Sequence, residues 1–192
     1  KNIFICEREV SNHKKLKNIG KNIFVTSDSA DCANSDVIFL AVKPQDFNHL
    51  NLDTSQDTLV CSIMAGVSIK EISSKLKTKK IVRMMPNIGA RVGQGFTVWT
   101  ATPKVSPAEK KWVKNFLEKV GTELYVTSEE KINKATAITG SGPAYVSYTL
   151  SVFKDVAKKL GFSEKESYSM IVQVLRGVDA LTLENLDFQE LT

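Results

Sequence analysis

The chain has 192 residues, 42% apolar and 24% charged, with a net charge of +5, a profile of one large or two small globular domains and not of a disordered or fibrous chain. No apolar run approaches the roughly 18 residues of a membrane-spanning helix, and the lysines are spread along the chain, which argues for solvated faces and against a nucleic-acid binder. Cys6, Cys32 and Cys61 are widely spaced and form no CxxC pair, so neither a zinc site nor a disulfide framework is indicated, and a reducing cytoplasm fits.

The chain opens inside an apolar run without an initiator Met, which leads us to expect a preceding segment. Ile3–Cys6 reads as a short strand, His13–Lys17 as helix and Asn22–Thr26 as a strand. The run Asp36-Val37-Ile38-Phe39-Leu40-Ala41-Val42, stopped by Pro44, and the run Thr58–Met64, ended by Gly66, are apolar on both faces. Such strands belong in a parallel sheet covered on both sides by helices. Cys6 and Cys61 lie in apolar strands and are expected to be buried. Ser68-Ile69-Lys70-Glu71 is a capping box that opens a helix through Leu76. Lys80–Met85 is the next strand, stopped by Pro86. Gly89–Gly95 is expected to be a flexible loop, and Phe96–Ala101 a strand. Ser106-Pro107-Ala108-Glu109 is a second capping box with Pro at the first helical position. Its helix is expected to run to Gly121, before a closing strand Glu123–Thr127. From Ser128 the pattern becomes helical, with segments to about Ile138, from Pro143 to Leu160, and from Glu164 to about Leu186, the last capped by Ser163–Glu166. The reading is an α/β, Rossmann-like, doubly wound parallel sheet over residues 1–127, followed by an all-α region over 128–192. The apolar residues of these helices call for partners on more than one face. A homodimer interface and an ordinary intrachain core both answer that need.

Open α/β sheets bind ligands at the carboxyl ends of their strands, so the residues just past each strand carry the functional reading. No GxGxxG follows a strand and opens a helix here; if the domain binds a dinucleotide, the pyrophosphate element must precede Lys1. Glu7 and Arg8 end the first strand. An acidic residue there favours the ribose hydroxyls of NAD, and an Arg favours the extra phosphate of NADP; the pair leans toward NADP. Ala41 and Pro44 let backbone lie flat against a cofactor, and Ala65-Gly66 allow close approach. Thr139-Gly140-Ser141-Gly142-Pro143 breaks one helix and starts another. The new helix start, flanked by two hydroxyls, suits a carboxylate or a polarised small substrate. It would equally serve as a tight helix–helix corner. His13 and His49 are expected to be surface residues, and no metal-ligand or nucleophile motif occurs.

The ordered segments DVIFLAVKP (36–44), VCSIMAGV (60–67), IVRMMPN (81–87) and AITGSGPAY (137–145) resemble the pyrroline-5-carboxylate reductase family over nearly the whole chain. The resemblance implies an N-terminal Rossmann domain and a C-terminal helical domain that dimerises, often within larger assemblies. It implies reduction of the cyclic imine pyrroline-5-carboxylate to L-proline by NADPH, with NADH possible, without metal, nucleic acid or membrane. Ala41, Val42, Lys43 and Pro44 would line the cofactor near its nicotinamide ribose, Ala65 and Gly66 would face the nicotinamide, and Asn87 would lie beside the same cleft. Gly140, Ser141, Gly142 and Pro143 would sit by the substrate, with Thr139 beside them. The glycine loop and the family's Ser-Pro-Gly-Gly-Thr-Thr segment, expected after Leu191, are not in this sequence, so no catalytic residue is assigned within it. Two other plans share parts of this pattern: a different two-domain NAD(P)-dependent dehydrogenase, and a non-catalytic Rossmann-type interaction module. The lack of any His after His49 counts against prephenate dehydrogenase chemistry.

Overall fold

A computed structural model describes residues 2–183 and 189. The chain forms two compact units, residues 1–141 and 142–192. In the first, β1 (Ile3–Cys6) pairs in parallel with β2 (Ile23–Thr26) across α1 (Val10–Lys17). A second sheet has the order β3 (Val37–Leu40), β4 (Leu59–Ser62), β5 (Ile81–Met85), β6 (Gly95–Ala101) and β7 (Gly121–Tyr125). Among the described residues no strand joins the two sheets.

The apolar runs are explained by two-sided burial. Along β4, Val60 points into a cluster with Ile38, Leu40, Ile81 and Ile72. Its neighbours Leu59 and Cys61 point into a second cluster with Val82, Met84, Trp99, Val113 and Leu117. Alternate residues face opposite sides of a strand, so a strand covered on both sides must be apolar throughout. The covers are α2 (Ile69–Lys75), through Ile72, and α3 (Pro107–Leu117), through Val113 and Leu117. Both expected capping boxes form: the hydroxyl of Ser68 accepts from Glu71 N–H and that of Ser106 from Glu109 N–H, while each glutamate accepts from the cap's N–H. Burial pushes the Cys61 thiol up to about 12.

Four details depart from the sequence reading. β6 runs antiparallel to β5 within the otherwise parallel sheet. Only a short turn over Ile88–Val92 connects them, and a parallel return would need a longer crossover. The Gly89–Gly95 segment is this turn and not a flexible loop. Gly95 pairs with Gly121 of β7, where a Cβ on Gly121 would approach Gly95 O to 2.0 Å. α3 ends at Leu117 and β7 begins at Gly121, because strand pairing with β6 takes up those residues. Cys6 is exposed and not buried, since β1 pairs only with β2 among the described residues.

α4 (Glu129–Ala135) and a π-helical turn (Thr136–Gly140) complete the first unit. The change to helical texture at Ser128 therefore precedes the boundary between compact units. α4 stays with the sheet because Ile132 packs against Val98 and Val126.

The second unit is α5 (Gly142–Lys159) and α6 (Glu164–Leu183). Gly161, at φ 94°, ends α5 in a left-handed conformation that favours glycine. The hydroxyl of Ser163 accepts from Glu166 N–H at the start of α6, as expected. Within the described helices of this unit, Ala157 is the one buried hydrophobic residue. The expected extension of α6 to Leu186 lies outside the described residues. No helix among the described residues is long and apolar enough to cross a membrane.

Candidate functional site

β3, β4 and β5 are parallel and in register, with Leu40 opposite Ser62 and Ser62 opposite Arg83. Their carboxyl ends therefore lie along one edge. That edge brings together Ala41–Pro44 after β3, Ile63–Gly66 after β4, and Pro86-Asn87 after β5. Ala41, Lys43, Pro44, Ala65 and Gly66 are exposed, and Val42 is half-buried. Gly66 adopts φ 75°, and a Cβ there would meet nothing within 4 Å. Glycine is needed there for the backbone turn, and the space beside it is open to a ligand.

At the end of β1 the two candidate residues differ. Glu7 is occupied by its own turn: its carboxylate accepts from Glu9 N–H at 2.9 Å and from Asn12 Nδ2 at 3.4 Å. Arg8 remains outward, its side chain 79% exposed, with Asp46 at 3.8 Å. An exposed pair at that distance holds a guanidinium weakly. Arg8 is thus free to meet an anion, and Glu7 less so. His13, expected on the surface, is partly buried, with Nε2 2.7 Å from the Glu7 carbonyl oxygen; it bolts α1 to this turn.

Asn87 braces the far end of the edge. Its Oδ1 accepts from Gly89 N–H at 3.1 Å and Phe96 N–H at 3.2 Å, and its Nδ2 donates to Thr139 O at 3.0 Å. The last bond joins the β5 turn to the π turn. The sequence reads a helix break at Thr139–Pro143, but the backbone stays right-handed, with Ser141 at φ −87°, ψ −21°. Ser141 N–H is spent on Thr136 O at 2.9 Å and is not a free donor. The Thr139 hydroxyl donates to Ala135 O at 3.1 Å. The half-buried Ser141 has no side-chain hydrogen bond among the described residues, so its hydroxyl is the available group. π turns of this kind are frequent at functional sites. Gly142 and Pro143 open α5 and belong to the second unit.

Sequence reasoning passed over a polar cluster built around a buried Arg. Arg83, its side chain 5% exposed, donates through Nη1 to Glu129 Oε1 at 2.7 Å and through Nη2 to Asn133 Oδ1 at 2.9 Å. The same Glu129 oxygen accepts from Ile69 N–H at 2.7 Å. The available signal was an Arg inside the apolar run Ile81–Met85. No group of three or more His, Cys, Asp or Glu that could hold a metal occurs among the described residues.

An α/β sheet with open turns along the carboxyl edge of its parallel strands, followed by helices, defines a Rossmann-type architecture. Residues 1–66 match the family model "NADP oxidoreductase coenzyme F420-dependent", and residues 129–192 match "Pyrroline-5-carboxylate reductase dimerisation". The pyrroline-5-carboxylate reductase of Staphylococcus epidermidis is 31% identical over 179 residues, covering 89% of this chain and 66% of that protein. The Aquifex aeolicus reductase is 36% identical over 154 residues, covering 79% and 57%. A solved pyrroline-5-carboxylate reductase from Coxiella burnetii superposes with a TM-score of 0.80 at 28% identity, covering 95% of this chain and 70% of that one. The chain belongs to the pyrroline-5-carboxylate reductase family. It spans between 57% and 66% of the length of these curated relatives.

Proposed function

We propose that this protein reduces pyrroline-5-carboxylate to L-proline with NADPH, the last step of proline biosynthesis. The observation that carries the reading is the open edge formed by Ala41–Pro44, Ala65-Gly66 and the Asn87–Thr139 brace, set in a chain of this family. A bound nicotinamide would supply a hydride to the imine carbon, and the nitrogen of the protonated imine becomes the amine. The protein's part is orientation. Small residues at 41, 65 and 66 admit a flat ring against backbone. Asn87 fixes the π turn, and the Ser141 hydroxyl, with Gly140, Gly142 and Pro143 beside it, meets the substrate. Thr139 contributes through its brace to Asn87. Holding reactants face to face can supply several kcal/mol of the barrier (roughly 7–11 at the upper end). No general acid among the described residues is required, since a protonated imine already accepts hydride.

We assign Arg8, with Glu7 beside it, to the adenine ribose end. The engaged carboxylate and the free guanidinium favour NADPH over NADH. We further assign residues 1–127 to dinucleotide binding and residues 128–192 to dimerisation and the substrate, and place the protein in the cytoplasm, where its three free thiols would stay reduced. The partner is a second copy of the chain, joined through helices α5 and α6.

Absorbance of reduced nicotinamide tests the reading in the full-length protein. NADPH loss that requires pyrroline-5-carboxylate supports it. Tight NADPH binding without turnover on this imine overturns it in favour of another dehydrogenase, and absence of both in favour of an interaction module.

A further inference from the structure

We propose that Arg83 and Glu129 are positioning residues that hold the Ala65–Gly66 turn and the Thr136–Gly140 π turn at a fixed spacing; the functional half of this claim rests on the cofactor and substrate roles assigned above.

Arg83 occupies a strand position on the face that Ile81 fills with apolar packing. If packing alone mattered, an apolar residue would serve, because a buried charge is expensive to desolvate. What Arg adds is a planar fork. Its two arms reach Glu129 and Asn133, one helical turn apart on α4. Glu129 then does two things with one oxygen: it pairs with the guanidinium and accepts the Ile69 N–H at the start of α2. That amide has no partner within its own helix.

The consequence is a closed circuit through bonded groups. Gly66 leads directly into the Ser68 cap and Ile69. Ile69 is tied to Glu129, and Glu129 to Arg83. Arg83 lies on β5, which leads to Asn87, and Asn87 is tied to Thr139. α4 closes the circuit, running from Asn133 into the π turn. The two turns are therefore referenced to a single ion pair. Rate depends steeply on such spacing, with a misplacement of about 1 Å able to cost on the order of 10²-fold.

The test uses the full-length protein and Glu129→Gln, which keeps shape and an acceptor oxygen but loses the charge that grips Arg83. Hydrogen exchange followed by mass spectrometry should quicken in segments 64–70 and 135–142 together. The melting temperature should fall, because the buried Arg83 loses its counter-charge, and at temperatures well below that transition kcat should still fall by roughly 10- to 100-fold. Asn133→Ala should do the same more weakly, and Asn133→Asp, which keeps the acceptor, should restore wild-type rates. Quickened exchange in only one segment overturns the proposal. So does a lowered melting temperature with kcat and both KM values unchanged, which would make the pair purely structural. Exchange is read without turnover, so a wild-type protein inactive on the imine would sink the functional reading while joint loosening of both segments would still support the coupling.

Discussion

The two units solve the problem of apolar residues in opposite ways. In the first, strands such as β4 are closed on both faces, and Val60 and Cys61 have no exposure at all. In the second, α5 and α6 carry Phe153, Val156, Val174 and Leu175 in exposed positions, and among the described residues only Ala157 of the hydrophobics is buried. A helical pair can shield one stripe of each helix against the other; residues outside that stripe need a further surface. The sheet is thus closed on both sides at β4, and the helical unit presents a face of the kind that mediates association.

Four kinds of test probe this contrast, taken from the largest effect down. Ile81→Ala, at a site without exposure, should destabilise the sheet unit by about 3 kcal/mol, read as a lower urea midpoint of the buried Trp99 fluorescence. Val146→Ala in the exposed face of α5 should leave that transition in place. Phe153→Asp should weaken self-association by about 2 kcal/mol, roughly thirty-fold, seen by sedimentation equilibrium, with the Trp99 transition unchanged. An unchanged association constant would show that the helical face serves something other than a second copy.

Capping offers a matched pair across the units. Ser106→Ala and Ser163→Ala each remove a cap hydroxyl and should cost about 1 kcal/mol. The first loss should appear in the Trp99 transition, and the second in the helical signal alone. The smallest effect is acid sensitivity. Hydrogen bonds from the Ser68 hydroxyl and amide hold Glu71 below its ordinary value of 4.5, and those from Ser163 do the same for Glu166. A depressed carboxyl stabilises the fold above its unfolded value, and that stabilisation is lost as pH falls through the folded one. Both boxes should therefore fail below pH 4.5, and Glu71→Gln and Glu166→Gln should flatten the acid limb of the stability curve.

Much of this contrast is legible in the sequence because it is local. The apolar run that ends in β4 announces two-sided burial, and all of residues 59–62 are buried; the serine–glutamate boxes at 68, 106 and 163 announce helix starts to the residue. What escapes is non-local. The direction of β6 depends on how short the link from β5 is once paired. The turn at 136–141 reads as a helix break from its glycines, yet an amide bond from Ser141 back to Thr136 carries the chain through it. Arg83 looks like an odd charge in a strand because its partners Glu129 and Asn133 lie 46 and 50 residues away. The exposed turns at 41–44 and 65–66 are legible because strand ends mark them; the bracing beside them is not, because the hydrogen bond from Asn87 to Thr139 leaves no periodic trace.

The proposed role of the edge at residues 41–44, 65–66 and 87, with the π turn beside it, is hydride transfer to a cyclic imine. The most direct measurement is the stoichiometry of NADPH oxidised to L-proline formed by the full-length protein with pyrroline-5-carboxylate. One proline should form for each NADPH; NADPH consumption without proline, or no consumption at all, would contradict that role.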